Sequence, residues 1–162
     1  MKKLISFIFI LIIPLSLMSC NINRAQYSKQ KNKPNPDYYT NEIYERIMNN
    51  EEYKLKVFDM DFYVSYEVNE KEHSILPEFF DSLESKNFEG EIENNSSPKY
   101  KLIIEFSNFK YIINIYDEEI VSIYPWDGIY KEDILTMKNV PDYYNLYKFC
   151  EYIKKIAKGF EG

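Results

Sequence analysis

The sequence predicts an α+β domain: an antiparallel β-meander of about four or five strands with helices packed on one face. Three observations lead there. Apolar segments between residues 99 and 124 follow one another across turns too short to hold a crossover helix, so their pairing must be antiparallel. Helical periodicity lies on both sides of them, ending in an amphipathic C-terminal segment. The stretch from Asp37 to Gly162 has ordinary single-domain length, enough for a core of its own.

Thr40 is placed to cap a helix running to about Asn49, with Ile43, Ile47 and Met48 inward. From Phe58 to Val68 every even position is apolar and nearly every odd one polar, the pattern of a strand with one buried face. Leu55 and Val57 are apolar on the odd register, so a bulge or short break near Val57 and Phe58 is expected. Ser74 can cap a second helix through about Lys86, turning Leu76, Phe79, Phe80 and Leu83 to one side, with Pro77 tolerated in the first turn.

Lys99–Phe106, Lys110–Tyr116 and Ile120–Tyr124 read as strands, with turns at Ser107-Asn108 and Asp117-Glu118-Glu119. Ile129–Met137 reads equally as a further strand or an irregular edge. The last helix runs from about Pro141 to Lys158, where Leu146, Phe149, Cys150, Ile153, Ile156 and Ala157 form one stripe. Pro141 suits its start, Lys154, Lys155 and Lys158 suit the negative end of its dipole, and Gly159 suits the position just past it.

The N-terminus is of another kind. Lys2 and Lys3 precede the unbroken apolar run Leu4–Ile13, and the segment ends in Leu17-Met18-Ser19-Cys20. The apolar part stops at Leu17 and contains Pro14 and Ser16, so it falls short of the roughly 20 residues a membrane-spanning helix needs. It has the layout of an export signal. Its last four residues resemble the lipobox of bacterial lipoproteins: an aliphatic residue, a tolerant position, a small residue and the cysteine. That resemblance implies removal of residues 1–19 and acylation of Cys20, with palmitate-like chains holding the protein on the extracytoplasmic face of the cell membrane. Two or three chains give stable anchoring, since each buried CH₂ contributes about 0.8 kcal/mol.

Residues 20–36 then form the lipidated cysteine and a flexible basic tether, carrying Arg24, Lys29, Lys31 and Lys33 with no acid. Residues 37–162 form the single acidic domain. Of the 20 basic residues in the chain, Lys2, Lys3 and the four tether cations precede Asp37, so 14 remain against 26 acidic ones, a formal charge of −12. Such a domain disfavours nucleic acid, whose affinity is built on clustered Lys and Arg. Solubility alone also accounts for the acidity.

Little in the domain points to chemistry. His73 is the only histidine, without a Cys or His at ligand spacing, so a turn or capping role is expected and no metal or other cofactor is implied. Cys20 and Cys150 are the only cysteines; once Cys20 is acylated no internal disulfide can form, and Cys150 reads as a small buried apolar residue. Asp59 and Asp61 share one face of the predicted strand, about 6–7 Å apart, near the separation of glycosidase acid pairs. Ser65 and Glu67 continue that face, which also reads as plain solvated surface. No nucleophile motif or Gly-rich phosphate loop occurs.

The local oddity is Tyr124-Pro125-Trp126-Asp127-Gly128, which leaves a strand and carries the only tryptophan. Tyr124, Trp126 and Asp127 can form a binding patch for a sugar ring or a partner protein, joined by Tyr143 and Tyr144 at the start of the last helix. Equally, Pro125 and Gly128 build a turn while Trp126 plugs one end of the core. The sixteen tyrosines reflect an AT-rich composition and are no aromatic surface by themselves. With its YPWDG and PDYYNLYKFCEYI segments the domain resembles small uncharacterised lipoproteins of low-GC Gram-positive bacteria, which implies no activity. The expectation is a non-enzymatic, lipid-anchored domain binding an envelope protein or glycan. An envelope hydrolase using Asp59 and Asp61, and a small-ligand-binding lipoprotein, are the alternatives.

Overall fold

The structure, a computed structural model, describes residues 33–126 and 128–159. The expected signal sequence, Cys20, most of the expected tether and Asp127 lie outside the described residues. No helix among the described residues is long and apolar enough to cross a membrane.

Helix α1 spans Tyr38–Met48 and buries Tyr39, Thr40 and Ile43. Thr40 is not its cap. It is the third helical residue, and its N–H and hydroxyl both donate to the carboxylate of Asp133, each at 2.8 Å. A side chain from a distant strand thus satisfies this helix end. The C-terminus closes as a Schellman turn: Asn50, at φ 58°, donates to Ile47 O and Glu51 donates to Arg46 O. Met48 was expected inward but is 56% exposed. Five residues past Ile43 it is rotated about 140° away from the buried stripe.

The expected single strand from Phe58 to Val68 is a hairpin. Strand β1, Tyr53–Asp59, turns inside four residues into β2, Val64–Glu67. Asp59 forces the reversal: its Oδ1 accepts from the backbone N–H groups of Asp61 at 2.9 Å and Phe62 at 3.2 Å, and Tyr63 takes the left-handed φ of 55°. The buried register is therefore the odd one of β1, Leu55, Val57 and Asp59, and Phe62 stands on the turn.

Helix α2, Ile75–Asp81, buries Ile75, Leu76, Phe79 and Phe80; it stops short of Lys86 and gives way to a 3₁₀ segment, Ser85–Glu89. Ser74 makes no side-chain capping bond there. Strands β3 (Tyr100–Phe106), β4 (Lys110–Ile115) and β5 (Ile120–Pro125) form the expected meander, and residues 129–137 resolve into β6, Asp133–Thr136. The antiparallel sheet has six strands, not four or five, in the order β2-β1-β3-β4-β5-β6. The extra strand comes from the hairpin at Asp59.

Helix α3, Leu146–Gly159, follows a 3₁₀ turn at Asp142–Tyr144. Asn145 caps it, accepting from Tyr147 N and Lys148 N while its own amide donates to Glu118 O in the β4–β5 turn. Gly159 is its last helical residue rather than the residue beyond it. Leu146, Phe149, Cys150 and Ile153 pack into the core, whereas Ile156 is exposed. One face of the sheet meets these helices: Leu55 and Val57, Tyr100 to Phe106 at even positions, Tyr111 to Ile115 at odd ones, Val121, Ile123 and Leu135.

Candidate functional site

Two places concentrate polar side chains. The first joins α3 to the sheet. Asp59 is fully buried, and the Lys154 ammonium lies 2.7 Å from its Oδ2. Burial pushes the Asp59 carboxyl upward, but Lys154 and the N–H groups of Phe62 and Asp61 outweigh it, so its pKa is lowered. Lys154 also approaches the hydroxyl of buried Tyr100 at 3.4 Å, Tyr100 donates to Glu151, and Glu151 pairs with Lys99 at 3.2 Å. Burial and the Glu151 carboxylate raise the Tyr100 pKa, while Tyr100 and Lys99 lower that of Glu151. Asp61 stands exposed on the turn. The two aspartates therefore do not share a solvated strand face: one is enclosed and ion-paired, the other free on the surface.

The second place is the sheet face opposite the helices. Strand register puts Lys54, Lys56 and Phe58 of β1, Lys101, Ile103 and Glu105 of β3, and Lys110, Ile112 and Asn114 of β4 on it. It continues through Ser122 and Tyr124 of β5 and Ile134 of β6. Tyr116 and Trp126 extend β4 and β5, the Trp126 N–H donating to Lys110 O at 2.8 Å. Among the described residues no helix covers this side.

In its middle, Phe58, Lys101, Asn114, Ser122 and Ile134 are direct cross-strand neighbours. Asn114 is 8% exposed, and its Oδ1 accepts no hydrogen bond. Its Nδ2 donates to Ser122 Oγ, at 3.3 Å. Burial raises the pKa of the Tyr116 and Tyr124 hydroxyls; Asn114 opposes this at Tyr124, as do Ser122 and Asn114 at Tyr116. Both rings thus border the same amide. Glu105 pairs with Lys56 at 3.0 Å and Lys110 at 2.7 Å, whereas Lys101 has no ion-pair partner among the described residues.

The aromatic patch expected from the sequence divides between the two faces. Tyr124 and Trp126, two residues apart, share the uncovered face. Trp126 is 71% exposed beside the Lys110 ammonium and plugs no core. Tyr143 and Tyr144, in edge-to-face contact, belong to the helical layer near Glu78 and Lys148. Asn145 ties that segment to the turn at Glu118, the far end of β5 from Trp126, about 20 Å along the strand. His73 stacks on Tyr53 at 4.9 Å, and its Nε2 lies 3.4 Å from Val68 O. Cys150 is buried, its thiol pKa pushed well up by desolvation. Among the described residues no group of three or more His, Cys, Asp or Glu is arranged to hold a metal ion.

Residues 33–150 match the family described as a domain of unknown function, DUF4883. The chain belongs to the DUF4883 family. It is also similar to a crystal structure described as "Putative Lipoprotein from Clostridium perfringens", at 30% identity and a TM-score of 0.69, over 76% of this chain and 99% of that one. No curated protein matches it. The DUF4883 segment contains Lys33, the partner of Asp133 at 2.7 Å, and the whole uncovered face, and ends before Lys154.

Lys101, Asn114, Ser122 and Tyr116 escaped the sequence reading. The available signal was Asn114 itself, one amide inside Ile112-Ile113-Asn114-Ile115. A strand apolar on both faces does not say which side the amide takes.

Proposed function

We propose that this DUF4883 protein is an extracytoplasmic lipoprotein, anchored to the membrane through Cys20, whose acidic domain binds an envelope component rather than catalysing a reaction. The lipoprotein part is supported by the Leu17-Met18-Ser19-Cys20 sequence and by the description of the Clostridium perfringens relative. The observation that carries the binding part is the uncovered sheet face, where Trp126 and Tyr124 lie in line with a buried amide whose oxygen has no hydrogen-bond donor. Tyr143 and Tyr144 are not part of this surface. The enclosed, ion-paired state of Asp59 favours binding over hydrolysis, since an acid–base pair needs both carboxylates open to substrate.

Two experiments test the reading. Metabolic labelling with a fatty acid is expected to mark the wild type and not Cys20→Ala; label retained by the variant refutes the anchor. Crosslinking on intact cells is expected to capture a component that is lost in the Tyr124→Ala/Trp126→Ala double variant. A capture profile that survives the double variant removes the uncovered face from the binding role.

A further inference from the structure

We infer that the row Lys101–Asn114–Ser122, bordered by Tyr116 and Tyr124, is a binding site for an acidic glycan strand of the envelope. This rests on the reading of the uncovered face as the binding surface and names its ligand class.

The first ground is the amide. Asn114 is more than nine-tenths buried, yet its Oδ1 has no donor, while Nδ2 donates to Ser122 Oγ at 3.3 Å and faces the Tyr116 and Tyr124 hydroxyls. Turning the amide over satisfies the oxygen through the serine hydroxyl and orphans the nitrogen instead. An orphaned buried polar atom is costly, so a strand whose neighbouring residues are Ile112, Ile113 and Ile115 keeps it at a penalty. A ligand hydroxyl admitted by a shift of the side chains over this pair would resolve the deficit in either orientation, because it both donates and accepts.

Charge supplies the second ground. The domain holds 14 basic and 26 acidic residues, but this face carries Lys54, Lys56, Lys101 and Lys110 against Glu67, Glu105 and, at its margin, Glu132. Glu105 is engaged by two of the lysines. Lys101, next to Asn114 in the row, has no ion-pair partner among the described residues. A half-buried cation adjoining an unpaired amide suits an anionic, hydroxylated ligand, while the rest of the domain repels it.

Shape is the third. Trp126, Tyr124, the Asn114–Ser122 pair and Tyr116 occupy successive same-face positions, about 20 Å in all. That length suits several linked sugars with rings laid on the aromatic side chains, and exceeds a single headgroup. A peptide would instead add along a sheet edge, and this row lies at the centre.

The test uses the full-length chain in detergent micelles, sedimented with purified Clostridium perfringens cell wall, with the same wall stripped of its anionic polymers, and with phosphatidylglycerol vesicles. The wild type is expected to bind the intact wall, to lose affinity as salt rises, and to bind the stripped wall about tenfold more weakly. Lys101→Gln and Asn114→Val are each expected to weaken wall binding about tenfold, and Tyr143→Ala to leave it unchanged. Lys101 is at the partly exposed surface, so its variant keeps the test sound if Asn114→Val folds poorly. Equal binding to stripped wall, or wild-type binding by both face variants, overturns the assignment. So does binding confined to the vesicles, which would indicate a lipid ligand. If no wall binding occurs while crosslinking still depends on Tyr124 and Trp126, the glycan assignment fails and the broader binding role stands. If neither depends on the face, both fail.

Discussion

Lys154 lies 2.7 Å from the fully buried carboxylate of Asp59, so a single ion pair fastens the C-terminal helix to the first hairpin. The same carboxylate closes the hairpin turn through Asp61 N and Phe62 N. One side chain therefore sets both the local reversal and the long-range docking.

Lys154→Met is expected to destabilise the domain by about 3–5 kcal/mol, because it leaves a buried charge unpaired. Adding Asp59→Asn should recover part of the loss, since the neutral amide still accepts the turn N–H bonds. Chemical denaturation of the two single variants and the double variant measures the coupling; strictly additive losses would show that the pair is not coupled.

Asp59 and Asp133 should pull the acid stability profile in opposite directions. Asp59 has its pKa lowered in the fold, so its contribution is present above the ordinary carboxylate range near about pH 4 and is lost as pH falls through the folded value. Asp133 is raised by desolvation despite Lys33 and Thr40, so the fold gains stability from it as pH falls through its folded value towards about pH 4. Melting temperatures between neutral and acid pH should show Asp133→Asn losing ground to the wild type as pH falls. Asp59→Asn should gain ground. Parallel profiles for both variants would contradict the assigned directions.

Asn114→Val should raise stability by about 1 kcal/mol, since a β-branched apolar side chain replaces an unsatisfied amide in a strand. Thermal melts give the sign. With the loss of wall binding expected of the same variant, this would be a stability cost kept for function.

Trp126→Ala should change stability by no more than about 0.5 kcal/mol, the range of exposed substitutions. Gly90→Ala should cost about 1–3 kcal/mol, because an added Cβ would stand 2.8 Å from the Leu135 carbonyl carbon, where the chain crosses close to β6. Denaturation midpoints of both variants check the contrast between an open site and a backbone clash.

How far the sequence could be read depended on whether the governing contact was local. The β3–β4–β5 meander was legible because short turns and apolar runs are near-neighbour properties. The buried stripe of α3 was legible through Ile153 for the same reason. The hairpin was hidden because Phe58, Met60, Phe62, Val64 and Tyr66 keep strand alternation straight through the turn, while the Asp59 side chain that reverses the chain leaves no mark in that pattern. Thr40 read as a cap because its true helix-end acceptor, Asp133, lies 93 residues away.

By itself, then, the sequence determined the α+β class, the amphipathic closing helix and the charge of the domain, and it supplied the Leu17-Met18-Ser19-Cys20 stretch on which the proposed anchor rests, since periodicity, composition and short motifs are written along the chain. Only the tertiary structure decided the sixth strand, the enclosure of Asp59 by Lys154 and the division of the tyrosines between two faces. It also decided the gathering of Lys101, Asn114 and Ser122 in one row. Those outcomes rest on cross-strand register and helix docking, which bring together side chains that no local pattern relates.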